Sequence, residues 1–290
     1  RIKVLDSQLT NQIAAGEVVE RPASVVKECL ENSLDAGATK IEIDIEKGGT
    51  RLIRIRDNGQ GIYQDDLVLA LDRHATSKIV SLNDLESVAS FGFRGEALAS
   101  ISSVSHFSLT SSTDNQSAWK VQSDGKTIAE LEPASHPRGT TVEIRDLFFN
   151  TPARLKFLKS NNKERNFIVD LVRGLALANP EIAFSLVIDD RSVVKTTGSS
   201  DLKATIGEIF SESICEALVK LDIERSGINV TGYTTQAHVT RSDKRGIFTI
   251  VNGRLVSCYI LRSALEAVYR DILPPGKSPI AVIQLELDKA

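Results

Sequence analysis

The chain of 290 residues has room for about two domains and a sizeable core. Its 35 Lys and Arg against 38 Asp and Glu give a formal charge of −3 and a pI near 5.9, which excludes global attraction to nucleic acid or anionic lipid and confines any such contact to a local patch. With 41% hydrophobic and 25% charged residues and no apolar run near the ~18 residues of a membrane span, the composition excludes a disordered chain and predicts no membrane association.

The opening RIKVLDSQLTNQ lacks the apolar block of a secretion signal, so a cytoplasmic location is expected. Methionine is absent even at position 1, which leads to the expectation of a trimmed start. Residues 22–34 read as a helix: Pro22 suits a first turn, Val25, Val26, Cys29, Leu30 and Leu34 recur at steps of three and four, and the run Asp35-Ala36-Gly37-Ala38 ends it. Ile41, Ile43 and Ile45 then alternate with polar residues, and beyond Gly48-Gly49 so do Ile53 and Ile55, predicting a β-hairpin. A short helix is predicted over 67–71, and the polar stretch 73–83, with little periodicity, suits a mobile lid. Gly92 and Gly95 open an apolar segment, 97–101, expected to be helical. Strands are predicted over 107–111, 119–122 and 141–144, and a helix over 167–177 ending before Pro180. The small polar run Thr196-Thr197-Gly198-Ser199-Ser200 is the best linker, dividing the chain into domains 1–198 and 201–290. Beyond it a helix (201–210), strands (228–233 and 246–251), a helix (261–269) and a last strand (280–287) after Pro274-Pro275-Gly276 are predicted.

Three groups have chemical potential. Glu28, Asn32 and Asp35 share one helix face, where a carboxylate beside a carboxamide suits a general base next to an oxygen ligand for Mg²⁺; a solvated helix face would look the same. Asp57-Asn58-Gly59-Gln60-Gly61 follows a strand. A carboxylate there can accept from an exocyclic amine while glycines admit a planar base such as adenine, although a simple Asx turn needs only the same residues. The run from Phe91 to Leu98, FGFRGEAL, is a glycine-rich loop entering a helix, suited to phosphate, with Arg94 as a charged fork. No Gly-x-x-x-x-Gly-Lys-Ser/Thr run occurs, so a nucleotide would be held without a P-loop. The cysteines Cys29, Cys215 and Cys258 are scattered and odd in number, which favours packing roles in a reducing compartment, and the four histidines lack metal-site spacing.

Residues 11–37, NQIAAGEVVERPASVVKECLENSLDAG, with DNGQGI, RHATSK, GFRGEALASI, GTTVEIRDLFFNTPARLKFL and VNGR in that order, closely resemble the N-terminal region of the MutL family of bacterial DNA mismatch repair proteins, within the GHKL ATPase superfamily. The resemblance implies an α/β fold of the Bergerat type, with helices over one face of a mixed sheet, followed by a smaller transducer domain with a βαβ crossover. It implies ATP and Mg²⁺ as cofactors, with Glu28 activating water, Asn32 holding the metal and Asp57, with Gly59 and Gly61, recognising adenine. Thr76, Ser77 and Lys78 match the lid; Gly92, Phe93, Arg94, Gly95, Glu96, Ala97 and Leu98 match the phosphate loop; Thr140 or Thr141 matches the last superfamily motif. Arg94 would offset phosphate charge during hydrolysis.

The basic cluster Arg154, Lys156, Lys159, Lys163 and Arg165, and a second group of Arg241, Lys244, Arg245 and Arg254, the last in the VNGR motif, are expected to contact DNA without sequence specificity, although charge runs also occur as solvated loops. Further expectations are an ATP-dependent homodimer using the arm at residues 2–19, mismatch-recognition and downstream repair proteins as partners, and a location at the bacterial nucleoid. In this family a lysine reaching the γ-phosphate lies beyond the last transducer strand, so weak hydrolysis is expected of a chain ending Asp288-Lys289-Ala290. A non-catalytic repair adaptor and a type II topoisomerase ATPase subunit are the competing readings, the latter disfavoured by NTPARLKFL and GFRGEAL.

Overall fold

The computed structural model describes residues 19–73, 75–76, 95–225 and 227–287. The arm before Val19, most of the expected lid, His74, and the loop residues 91–94 lie outside the described residues. The chain groups into two units, one comprising the described residues up to Leu171 with Phe184–Val193, the other Val172–Ala183 with the residues from Val194 onward.

The first unit is organised by helix α1 (Pro22–Asp35). Pro22 stands where its missing N–H costs nothing, and no glycine or second proline interrupts the helix. It ends because Gly37 takes φ +69°, which lets Ala38 N–H reach the Ser33 carbonyl (3.1 Å) and Gly37 N–H reach that of Leu34 (3.0 Å), a Schellman closure. Val25, Val26, Cys29 and Leu30 are buried as predicted, and Leu34 is half-buried. Strands β1 (Lys40–Glu46) and β2 (Leu52–Asp57) form the expected hairpin, joined by a 3-10 turn (Lys47–Gly49), with Ile43 opposite Ile55 and Ile45 opposite Ile53.

Two short helices, α2 (Gln64–Leu69) and α3 (Ala97–Ser102), come next, then strands β3 (His106–Ser112), β4 (Ala118–Ser123), β5 (Glu132–Ala134) and β6 (Gly139–Arg145). Helices α4 (Pro152–Phe157) and α5 (Asn161–Ala178) follow, then β7 (Ala183–Ile188) and β8 (Arg191–Lys195). Among the described residues the sheet runs β5-β4-β3-β6-β2-β1-β7-β8, and the neighbours from β5 through β1 are antiparallel. Helix α1 packs on β2 and α3, α2 on β4, and α3 on β3, so that one sheet face meets helices. The opposite face carries charge, including Glu42 with Arg56 (3.0 Å) and Arg54 between Asp44 (3.5 Å) and Glu143 (2.8 Å). The β7–β8 hairpin was not predicted; it turns at Asp189-Asp190, both with positive φ, instead of the usual Asn-Gly.

The second unit contains α6 (Leu202–Ile209), α7 (Glu212–Cys215), β9 (Leu218–Arg225), β10 (Ile228–Thr235), β11 (Ile247–Val251), β12 (Arg254–Val256), α8 (Tyr259–Tyr269) and β13 (Ala281–Leu287). Asp201 caps α6 by accepting from Lys203 N–H at 2.8 Å. The sheet order is β12-β11-β13-β10-β9, and β11 and β13 are parallel, Ile247 beside Ala281 and Val251 beside Leu285. With α8 between them in the chain, they form a βαβ crossover, the connection a parallel pair requires. Strand β9 was not predicted. No helix among the described residues is long and apolar enough to cross a membrane.

Candidate functional site

The site begins with a carboxylate on an apolar face. Asp57 is the last residue of β2, and strand alternation from Ile53 and Ile55 turns it toward the helix-covered side, opposite Ile41 on β1 and Thr140 on β6. It is 8% exposed. Gly59 N–H donates to its Oδ1 at 2.9 Å, Ser33 Oγ donates to its Oδ2 at 2.8 Å, and the Thr140 main-chain N–H donates as well. Burial pushes the Asp57 carboxyl above its ordinary range, against the pull of these three donors. A carboxylate offers about four lone-pair positions. With three filled by donors among the described residues, one acceptor position remains for a ligand.

The turn after Asp57 keeps that position open. Asn58 bolts it down: its Oδ1 accepts from Thr39 N–H and Lys40 N–H, both at 2.9 Å. A Cβ on Gly59 would lie 2.8 Å from the Ala36 carbonyl oxygen, and one on Gly61, at φ +78°, would fall on the Ser112 carbonyl. Only glycine lets the backbone pass so close to the end of α1 and to β3. Ile62 N–H then donates to Ser111 Oγ (2.9 Å), tying the turn to β3.

Glu28 and Asn32 are half-buried, one helical turn apart on α1, with Asp35 also half-buried. Cys29 beside them is buried, and its thiol is pushed up to about 12, first by burial and then by the charges of Glu28 and Asp57. The two carboxylates therefore act on one point of the helix. Glu31, not singled out from sequence, is buried and pairs with Lys27 at 3.5 Å; burial still raises its carboxyl.

Of the two threonines, Thr140 joins the site and Thr141 does not. Thr140 sits between Asp57 and Ser111 across the sheet, whereas Thr141 is paired with Arg56 and Thr110, so alternation turns it to the opposite face, where its hydroxyl meets His136 Nε2 at 2.6 Å. Thr76 is half-buried, and Gly95 approaches the backbone of its neighbour Ala75, where a Cβ would lie 2.5 Å from the Ala75 oxygen. Glu96, Ala97 and Leu98 are half-buried at the start of α3. Ser77, Lys78, Gly92, Phe93 and Arg94 lie outside the described residues. Val19, the last residue of the segment expected to form the arm, is fully buried.

Among the basic residues, Lys156, Lys159 and Lys163 are exposed. Arg154 is half-buried, its guanidinium 5.8 Å from the Phe148 ring, so part of its surface is committed to packing. Arg254, in the second unit, is exposed at the start of β12. Among the described residues no group of three or more His, Cys, Asp or Glu is arranged to hold a metal, and Mg²⁺ commonly takes only one or two protein oxygens beside substrate phosphates. The carboxamide of Asn32 fits that role. Sequence reasoning missed Ser33 and Ser111 and gave Asn58, inside the Asp57 motif, no role of its own; Ser33 signals itself only by lying between Asn32 and Asp35, and Ser111 by nothing beyond its place in a strand.

Residues 20–146 match the family described as histidine kinase-, DNA gyrase B- and HSP90-like ATPase, and residues 206–290 match the C-terminal domain family of DNA mismatch repair proteins. The DNA mismatch repair protein MutL of Cellvibrio japonicus is 49% identical over 99% of this chain, and that of Pseudomonas putida (strain W619) is 48% identical. The chain covers 47% of the length of the Cellvibrio protein, so it spans about half of such relatives. Among solved structures, the Aquifex aeolicus MutL ATPase domain complexed with ADP is 33% identical, with a TM-score of 0.71 and 93% of each chain covered. The chain belongs to the MutL family. Its fold is that of MutL ATPase domains: a GHKL-type α/β sandwich followed by a second sheet with the βαβ crossover of a transducer domain. A crystal structure of the N-terminal domain of a DNA repair protein, 28% identical with a TM-score of 0.83, agrees in architecture.

Proposed function

We propose that this MutL-family chain binds ATP with its purine on Asp57 and hydrolyses it as a switch of DNA mismatch repair. The observation that carries this reading is the Asp57 carboxylate, buried, held by three neutral donors among the described residues, which leave one acceptor position beside a glycine turn. An exocyclic amine of adenine is a donor suited to it. The Aquifex aeolicus MutL ATPase domain, solved in complex with ADP, supports adenine-nucleotide binding by this chain.

Glu28 takes a proton from the attacking water, and Arg94 offsets charge on the phosphates. Asn32 would hold Mg²⁺, which would supply charge neutralisation at the phosphates. Thr76, Ser77 and Lys78 on the lid and the loop from Gly92 to Leu98 close over the triphosphate. Nucleotide binding then favours a homodimer through the N-terminal arm, which engages DNA through Lys156, Lys159, Arg154 and Arg254 and recruits mismatch-recognition and downstream repair proteins in the bacterial cytoplasm. The division at residues 198–201 marks the ATPase and transducer domains.

Calorimetric titration with ATP, with and without Mg²⁺, tests the pocket, and size-exclusion chromatography with a non-hydrolysable analogue tests the switch. Magnesium-dependent uptake of ATP and a shift from monomer to dimer are expected. No heat with ATP from the folded chain would overturn the nucleotide reading; uptake without any change in size would overturn the dimer.

A further inference from the structure

We infer that Ser111 is a specificity-positioning residue, fixing the hydroxyl of Thr140 as an acceptor so that the purine subsite demands a 6-amino donor and rejects a 6-keto group. The inference rests on the adenine reading of Asp57 and deepens it.

Proton counting carries it. Ser111 is 1% exposed and makes three hydrogen-bond contacts among the described residues: its Oγ lies 2.8 Å from the Gly139 carbonyl oxygen, 2.9 Å from Ile62 N and 2.9 Å from Thr140 Oγ1. A serine hydroxyl has one proton and two lone pairs. The Gly139 carbonyl can only accept, so the Ser111 proton goes there. Ile62 N–H can only donate, so it takes one lone pair. The contact with Thr140 is left to the proton of Thr140, which fills the second. Ser111 is then saturated, and Thr140 Oγ1, its one proton spent, faces any further partner with lone pairs alone. The Thr140 main-chain N–H is already given to Asp57. Asp57 and Thr140 are cross-strand neighbours, as are Thr140 and Ser111, so the three side chains share the sheet face of the site. Both side-chain groups that meet the purine edge there are acceptors. A 6-amino purine supplies N–H donors to them at position 6; a 6-keto purine has its edge N–H at N1 and an oxygen at position 6, which neither acceptor there can satisfy, and unpaired polar atoms in a buried site are costly.

The experiment compares affinities for ATP and inosine triphosphate, which differ at position 6, by calorimetry on the wild type, Ser111→Ala and Ser111→Thr. The wild type is expected to favour ATP. In Ser111→Ala the Thr140 proton is released to turn toward the ligand, and the preference narrows by about tenfold, while Ser111→Thr, keeping the hydroxyl, retains it. A merely structural role would weaken both nucleotides equally and leave the ratio unchanged, which overturns the inference. Should Ser111→Ala not fold, Thr140→Val decides by sign: losing an acceptor narrows the preference for ATP, whereas losing a donor widens it, contrary to the inference. A wild type that binds neither nucleotide refutes the adenine reading itself; one that prefers ATP with a ratio indifferent to these variants refutes only the role of Ser111.

Discussion

Asp57 and Glu143 lie on the same sheet, on opposite faces, and meet different fates. Glu143 accepts from Arg54 Nε at 2.8 Å and from Arg145 Nε at 2.7 Å, one guanidinium on each oxygen. Burial raises its carboxyl, but these charged donors outweigh burial and hold it below the ordinary range. Among the described residues the donors that meet Asp57 are neutral, the charge of His136 adds only the smallest pull, and burial wins. A carboxylate answered by arginines is electrostatically finished; one held by a hydroxyl and two amides is oriented, still short of a partner, and available to a ligand.

The contrast can be broken at several points. The largest effect is expected at Glu28, where Glu28→Ala retains ATP binding but lowers turnover by about 10²–10⁴-fold in a steady-state phosphate-release assay; normal turnover would exclude Glu28 as the base. Ser33→Ala removes one of the three donors that hold Asp57, and ATP affinity should fall about tenfold by calorimetry. The same variant sharpens the pH dependence. A protonated Asp57 has a hydrogen where the ligand needs an acceptor, so affinity should decline as pH falls through the raised Asp57 pKa. Without the Ser33 donor, which lowers that pKa, the midpoint should move to higher pH. Stability runs in the opposite sense. Between the ordinary and the raised pKa the folded state keeps a proton that the unfolded chain has lost, so the Asp57 contribution to stability diminishes as pH rises through that window; chemical denaturation across pH would show this slope vanish in Asp57→Asn. The smallest effect belongs to Glu143→Gln: the pair with Arg54 is about a quarter exposed on both sides, so stability should change by no more than ~1 kcal/mol and ATP affinity not at all.

Much of this was readable in the chain before any coordinates. The steps of three and four through Val25, Val26, Cys29 and Leu30, and the alternation of Ile41, Ile43 and Ile45, anticipate α1 and the first hairpin because burial enforces those periods. The resemblance added the roles of Glu28, Asn32 and Asp57, which residue types alone left balanced against a solvated face and an Asx turn. The pins were not readable. Ser33 and Ser111 are 24 and 49 residues from the groups they hold, Asp57 and Ile62, and a serine carries no pattern that announces a tertiary partner. The choice between Thr140 and Thr141 depended on strand register, which a single residue of slip reverses. The hairpin at Asp189-Asp190 escaped notice because its turn lacks glycine.

The most direct test is calorimetric titration of ATP and Mg²⁺ into Asp57→Asn, with folding verified by circular dichroism. The amide presents a donor and one fewer acceptor to the amine, and affinity is expected to fall by about 100-fold or more. Wild-type affinity in that variant would contradict the assignment of Asp57 as the residue that reads the purine.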